Sequence, residues 1–149
     1  MLIRELRRED LDIHYFKLLN GLSPSLGINL TEWYKEKINK DYFNKLWSDF
    51  TSNSNYHILV AVSQPYTLGT ASLLVEQKIN GKFAGHIEDV VVSTSHRGLG
   101  IGSLLIKDLI EIAKNKKCYK VILNCSDKNT AFYRQFGFLK IDNGMKLTL

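Results

Sequence analysis

The chain reads as a single α+β domain, and three observations lead to that class. Its 149 residues are 44% hydrophobic and 23% charged with only two prolines, a globular composition without low-complexity tract, internal repeat or linker. A β-branched run ending at Val90-Val91-Val92-Ser93 passes through a short polar turn into glycines that open a long amphipathic segment. Upstream of it, helical periodicity precedes a meander of strands; downstream, helix and strand alternate. The length suits one core, with both faces of a central sheet covered.

In chain order, Leu2-Ile3-Arg4-Glu5-Leu6 is expected to form a short strand. A helix follows from about Arg8 with Leu11, Tyr15, Leu18, Leu19 and Leu22 on one face, and the loop Leu22 to Gly27 ends it. Thr31 is expected to cap a second amphipathic stretch that runs through Trp33, Tyr34 and Ile38 to Phe43, Leu46 and Trp47, with an interruption near Asn39-Lys40-Asp41. Its aromatics are read as core. His57 to Val62 and Leu68 to Val75 flank the turn Ser63-Gln64-Pro65-Tyr66 as an antiparallel hairpin, and Asn80-Gly81 marks a tight turn into a strand over Phe83 to Ser93. A helix over 100–116, a strand over Tyr119 to Cys125, a helix from about Asp127 to Phe136 closed by Gly137, and a last strand from Phe138 complete the order.

Twenty Lys and Arg against fifteen Asp and Glu leave a net charge of +5. The one dense basic run, Lys114-Asn115-Lys116-Lys117, falls at a helix C-terminus, where cations offset the dipole, and no aromatics interleave it. It is read as a solvated helix end, with no nucleic-acid partner expected. Charged or amide residues interrupt every apolar run well short of a membrane span, and Met1-Leu2-Ile3-Arg4-Glu5 lacks the layout of a signal peptide. The expectation is a soluble cytoplasmic protein with no membrane partner. Cys118 and Cys125, seven apart in or beside one strand, suit neither a mutual disulfide nor a metal motif; buried free thiols and no metal are expected.

The glycine turn carries the chemistry. Arg97-Gly98-Leu99-Gly100-Ile101-Gly102 leads into a helix with apolar residues at 101, 104, 105, 109, 112 and 113. Glycines allow positive φ and close backbone approach, and the free N–H groups and dipole of the helix attract an anion. A phosphate or pyrophosphate is expected there. The Gly-Lys-Ser/Thr ending of a P-loop is missing, and Ser103 after Gly102 breaks the dinucleotide fingerprint. What stands is Arg-x-x-Gly-x-Gly after a strand.

Together with Asn129-Thr130-Ala131-Phe132-Tyr133-Arg134-Gln135-Phe136-Gly137-Phe138, this pattern resembles the GCN5-related N-acetyltransferases (GNAT). Gly85-His86-Ile87-Glu88-Asp89-Val90-Val91-Val92, Cys118 to Cys125 and Lys128-Asn129 resemble the branch that acetylates D-glucosamine 6-phosphate, over the C-terminal half. The resemblance implies a mixed three-layer sheet flanked by helices and direct acetyl transfer from acetyl-CoA to an amine. The expected product is N-acetyl-D-glucosamine 6-phosphate, on the route to UDP-N-acetylglucosamine. A homodimer packed through the C-terminal strand is also implied.

Such transfer needs a base for the amine, stabilisation of an oxyanion and an acid for the thiolate. The loop amides from Arg97 through Gly98, Leu99, Gly100, Ile101 and Gly102 to Ser103 are expected to hold the coenzyme pyrophosphate, and the backbone of Val90, Val91 and Val92 its pantetheine arm. Asn129 resembles a coenzyme contact; its ordinary role would be a helix cap. Glu88 and Asp89 belong by resemblance to the acceptor site, with Glu88 assisting deprotonation directly or by water. Adjacent strand residues point to opposite faces, so only a bulge would turn both into one cleft; otherwise they are a solvated pair. Tyr133 is the candidate acid, against a plain core tyrosine between Phe132 and Phe136. Asn124 stands where the branch carries an acidic residue; it can orient an acceptor but cannot act as a base. By resemblance, Lys78 matches a basic residue after the third strand that meets the sugar phosphate, and Ser23 a threonine at the pocket mouth. Two other readings stay open: a different amine, such as a polyamine, an aminoglycoside or a protein N-terminus, and a coenzyme-binding module without catalysis.

Overall fold

Among the described residues, five strands form one sheet in sequence order: β1 (Leu2–Glu5), β2 (Tyr56–Ser63), β3 (Tyr66–Gln77), β4 (Phe83–Val92) and β5 (Cys118–Ile122). The first three interfaces are antiparallel and the last is parallel, so the sheet is mixed, as the resemblance implied. This computed structural model describes residues 1–22, 30–37, 40–141 and 144–147.

Helices cover both faces because alternate strand residues are apolar on both. On one face α4 (Ile101–Asn115) sets Ile101, Leu105, Ile106, Leu109 and Ala113 against Leu59, Ala61, Ala71, Leu73 and Ile87. On the other, α1 (Ile13–Leu19), α2 (Leu30–Lys37) and α3 (Lys40–Thr51) gather Tyr15, Phe16 and Phe43 over Val60 and Val62, with Trp33, Tyr34 and Trp47 at the margin. The early aromatics are core, as expected.

Several boundaries differ from the sequence reading. Near Arg8 only a single 3-10 turn forms, over Arg8–Asp10. The Asp10 carboxylate accepts from Arg4 at 2.6 and 2.8 Å and from the Arg7 amide at 2.7 Å, while Asp12 caps α1 by accepting from the Tyr15 amide at 2.9 Å. Two carboxylates in succession thus end one turn and begin the next. Thr31 is not a cap: it lies inside α2, where its hydroxyl accepts from the Asn20 amide at 2.7 Å. The second amphipathic stretch is two helices, α2 and α3; Ile38 and Asn39 lie outside the described residues.

Strand β5 stops at Ile122 rather than Cys125, because its parallel partner turns away there, as described below. The helix expected over 127–136 divides into a 3-10 turn, Asp127–Asn129, and α5 (Thr130–Arg134), with Gly137 at φ 89° behind it. The last strand is absent among the described residues: 138–141 and 144–147 carry no strand, and Leu139, Ile141, Met145 and Leu147 are exposed. The cysteines are free, but Cys125 is exposed and Cys118 half-buried, so neither is the buried thiol expected. No helix among the described residues is long and apolar enough to cross a membrane.

Candidate active site

The site begins as a fault in β4. Ser72 pairs with Glu88 and Thr70 with Val91, so two residues of β3 oppose three of β4 and one β4 residue is extra. Asp89 takes the strain, with φ 53° in the left-handed region that a side chain disfavours. The buried Ser72 hydroxyl holds the bulge by donating to the Glu88 carbonyl at 3.1 Å.

The bulge also opens the sheet. Strand β5 pairs with β4 only from Phe83 to His86, and beyond it the two strands diverge. From Ile87 to Val92 the β5-facing edge of β4 therefore has no strand partner among the described residues. A run of free N–H and C=O groups at a strand edge is a template for another extended chain.

Two continuous hollows fill the opening. The first, about 660 Å³, is lined by Val90, Val91, Val92, Arg97, Gly98, Gly100, Ile101, Gly102, Ser103, Asn129 and Tyr133, together with Lys128 and Phe132. Apart from Tyr133, Lys128 and Phe132, these are the residues expected from the sequence to meet the coenzyme; of that expected set Leu99, 67% exposed, lies off the lining. Gly98 and Gly100 both stand at φ 79° with open space where a Cβ would be, so both need glycine for conformation. Gly102 differs, since a Cβ there would meet the Phe132 ring at 3.3 Å. Gly100 leads directly into α4, which sets the free amides of the first turn toward the hollow. Arg97 folds back and donates from Nε to the Val92 carbonyl at 3.2 Å.

The second hollow, about 270 Å³, gathers Glu88, Asp89, Asn124, Cys125, Ser126 and Tyr133, and shares Leu22, Val90, Asn129 and Tyr133 with the first. Both carboxylates line it, which regular alternation would forbid and the bulge permits. Asp89 is exposed at the cleft mouth, and partial desolvation by the surrounding chain pushes its carboxyl above its ordinary range. Burial likewise pushes the Tyr133 hydroxyl up, and nearby Cys125 adds to the rise. Tyr133 is only 8% exposed, its ring held edge-on by Phe132 at 4.9 Å and Phe138 at 6.0 Å. Among the described residues its hydroxyl has no hydrogen-bond partner, so the group remains available to whatever enters. Asn124 also abuts the C-terminal segment; a Cβ on Gly144 would lie 3.2 Å from its Oδ1. Asn129 is the residue before α5 but makes no side-chain cap there.

Two expected substrate residues are not brought in. Ser23 lies outside the described residues. Lys78 lies beyond Gln77, which pairs with Phe83 five residues below Glu88, about 17 Å along the strand. Its ammonium instead donates to Glu76 Oε2 at 2.6 Å, an oxygen that His86 Nε2 meets at 2.7 Å. Conversely, Leu22, Cys125, Ser126 and Lys128 line the cleft without having been singled out. Two more tyrosines lie close to it. Tyr15, pushed up to about 12 mainly by burial, feels the Asp89 charge, and Tyr56, also raised by burial, feels Asp89 and Glu88. No motif marks either, because Tyr56 is brought near by strand register and Tyr15 by the packing of α1 on the sheet.

Residues 26–138 match the acetyltransferase (GNAT) family. A glucosamine 6-phosphate N-acetyltransferase of Trypanosoma brucei brucei is 49% identical over 84 residues, which are 55% of this chain and 57% of that protein, little more than half of either. One of Candida albicans is 33% identical over 149 residues, 97% of this chain and 91% of the relative. The crystal structure of glucosamine-6-phosphate N-acetyltransferase from Arabidopsis thaliana superimposes with a TM-score of 0.85 at 29% identity, over 99% of this chain and 97% of that one. The glycine loop, the bulged strand and Tyr133 all fall inside the matched span, and on this match the chain belongs to the acetyltransferase (GNAT) family.

Proposed function

We propose that this chain transfers the acetyl group of acetyl-CoA to the amine of D-glucosamine 6-phosphate. The observation that carries the reading is the unpaired edge of β4, which runs from the glycine loop to a hollow holding two carboxylates and an unpartnered tyrosine hydroxyl. An amide-bearing arm suits that edge, and an anion suits the loop at one end of it. The acceptor follows from the relatives' names.

When bound, acetyl-CoA supplies an activated acetyl thioester. The chain supplies the proton traffic: Glu88 and Asp89 receive the proton that the ammonium must lose before it attacks, directly or through water. Asp89, raised by its surroundings, is better matched to that task near neutrality than an ordinary aspartate. The Tyr133 hydroxyl, kept protonated by burial, stands on the same hollow to hydrogen-bond and protonate the departing sulfur. Asn124 orients the acceptor without taking a proton. The exposed Leu139, Ile141, Met145 and Leu147 support a homodimer that covers them, and the cytoplasm as the site of action fits a coenzyme-dependent amino-sugar step.

Thiol release from acetyl-CoA, followed with D-glucosamine 6-phosphate, free glucosamine, a polyamine and an aminoglycoside, tests the reading. Turnover is expected with the phosphorylated amino sugar and at least about tenfold slower with the others, since a site built to pair a polar group rejects an analogue lacking it. Equal turnover with an unphosphorylated amine would overturn it.

A further inference from the structure

A further hollow, of about 410 Å³, lies between α1, the start of β3 and the end of β4. From α1 come His14 and Lys17, from β3 Tyr66, and from the turn after β4 His96 and Arg97. Among the described residues no carboxylate lines it, so nothing in the lining offsets its cations. His14 and Lys17 stand three apart on α1, a spacing that sets both on one helix face, and neither has an ion pair among the described residues. The Tyr66 ring holds His14 edge-on at 5.1 Å. Across the hollow, Ser95 Oγ lies 3.1 Å from Ser93 Oγ and 2.9 Å from His96 Nδ1, which fixes that imidazole and leaves Nε2 open. Arg97 gives Nε to the Val92 carbonyl and keeps its two terminal nitrogens. A cation in the last turn of α1 also offsets the helix dipole, but this accounts for Lys17 alone and for none of the other three.

We propose that this hollow is a second anion site, which takes the phosphate of a small phosphorylated molecule other than the coenzyme and the acceptor. Two charged donors and two imidazoles, around a cavity with room for a phosphate and the group that carries it, suit such a ligand. The coenzyme hollow is walled by the first turn of α4 and by α5, whereas this one receives no residue from α4, α5 or β5. It shares no residue with the hollow of Glu88 and Asp89. It does meet the coenzyme hollow at His96 and Arg97, which line both. Resting on the coenzyme reading above, an anion here draws on the same two side chains as the coenzyme phosphates and repels them, so each ligand weakens the other by the same factor. A phosphorylated metabolite that accumulates thereby lowers the enzyme's affinity for acetyl-CoA.

The experiment titrates the full chain with inorganic phosphate by calorimetry at constant ionic strength, with and without acetyl-CoA, and repeats it on Lys17→Gln and Lys17→Arg. Lys17 is exposed and lines this hollow but not the coenzyme's, so both variants should keep the native circular dichroism. Phosphate is expected to bind the native chain at millimolar concentration, about fivefold or more weakly to Lys17→Gln, and nearly as well to Lys17→Arg. Lys17→Gln should bind acetyl-CoA within about twofold of native. Saturating acetyl-CoA should weaken phosphate about fivefold without abolishing its binding. Phosphate that binds native and Lys17→Gln chains alike, that acetyl-CoA displaces completely, or that does not bind at all would overturn the proposal. A Lys17→Gln chain that loses affinity for acetyl-CoA but not for its 3′-dephospho form would assign the hollow to the coenzyme's own phosphate and overturn it equally. Phosphate binding that depends on Lys17, in a chain that binds no acetyl-CoA, would uphold the site and overturn the coenzyme reading.

Discussion

Tyr133→Phe separates a catalytic hydroxyl from a packed ring. The substitution keeps the edge-on contacts with Phe132 at 4.9 Å and Phe138 at 6.0 Å and deletes a hydroxyl that has no partner among the described residues. A buried tyrosine whose hydroxyl was satisfied by the protein would lose about 0.5–1.5 kcal/mol. Here the expected loss is below about 0.5 kcal/mol, which in a chain of 149 residues moves Tm by under about 2 °C. Turnover behaves differently. Loss of a general acid is worth ~10²–10⁴-fold; coenzyme A is already a fair leaving group, so the low end, about 10²-fold or 2.7 kcal/mol of barrier, is expected. Burial pushes the native hydroxyl up, so the native enzyme should show no loss of rate from its ionisation through neutral pH. Steady-state kinetics with saturating acetyl-CoA, calorimetry and thermal melting on one preparation decide the matter. Turnover within about twofold of native, paired with a clearly lowered Tm, would refute the argument.

Four further outcomes follow from the same geometry. Gly100→Ala places a Cβ in open space at φ 79°; the left-handed conformation then costs about 1–2 kcal/mol, and calorimetry should show weakened acetyl-CoA binding in a folded protein. Gly102→Ala acts differently, pressing on Phe132 at 3.3 Å, and should lower Tm. Asn124→Asp adds a carboxylate to a hollow already holding Glu88 and Asp89; like charges push each other up, so the acid limb of kcat/KM should move to higher pH. Asp10→Asn tests the N-terminal lock: burial alone would raise this carboxyl, but Arg4 and the Arg7 amide outweigh it and hold it below its ordinary range. A depressed folded value means stability fully present above the ordinary aspartate range and lost below it, as pH falls through the depressed folded value. Urea titrations should therefore show a native advantage of about 1–3 kcal/mol at neutral pH that shrinks in acid.

What the sequence made legible was local. The hairpin, the Asn80-Gly81 turn and the passage from Val92 through glycines into α4 rest on periodicity and turn chemistry, and they stand where expected. The bulge was legible only as a condition: two adjacent carboxylates could share a cleft if one existed. Its cause is long-range, a buried Ser72 hydroxyl on β3 reaching the Glu88 carbonyl, and no local pattern records it. The early end of β5 has the same origin, since Leu123 to Cys125 carry apolar alternation but lose their partner where β4 departs. Residues 138–141 carry strand-like alternation as well, yet they pair with no described strand. Tyr56 belongs to the site's surroundings through strand register and Tyr15 through the packing of α1 on the sheet. Lys78 is set at the sugar phosphate by the resemblance to a basic residue after the third strand, and its charge is engaged by Glu76 instead.

The extra residue in β4 has a consequence for the two halves of that strand. Below it, the odd-numbered Phe83 and Ile87 pack toward α4; above it, the even-numbered Val90 and Val92 do. The strand is thus written in two phases, joined at Asp89. Deleting Asp89 would bring Ile87, Val90 and Val92 into one regular alternation toward α4 and abolish the bulge. Straightening the full-length strand, by contrast, would turn one half inside out, either burying His86 against α4 or expelling Val90 and Val92 from it. A chain shortened here would keep its sheet and lose its cleft, so length at this point serves the site and not the fold, and a one-residue deletion at 89 should leave a folded protein without the opening beside β4.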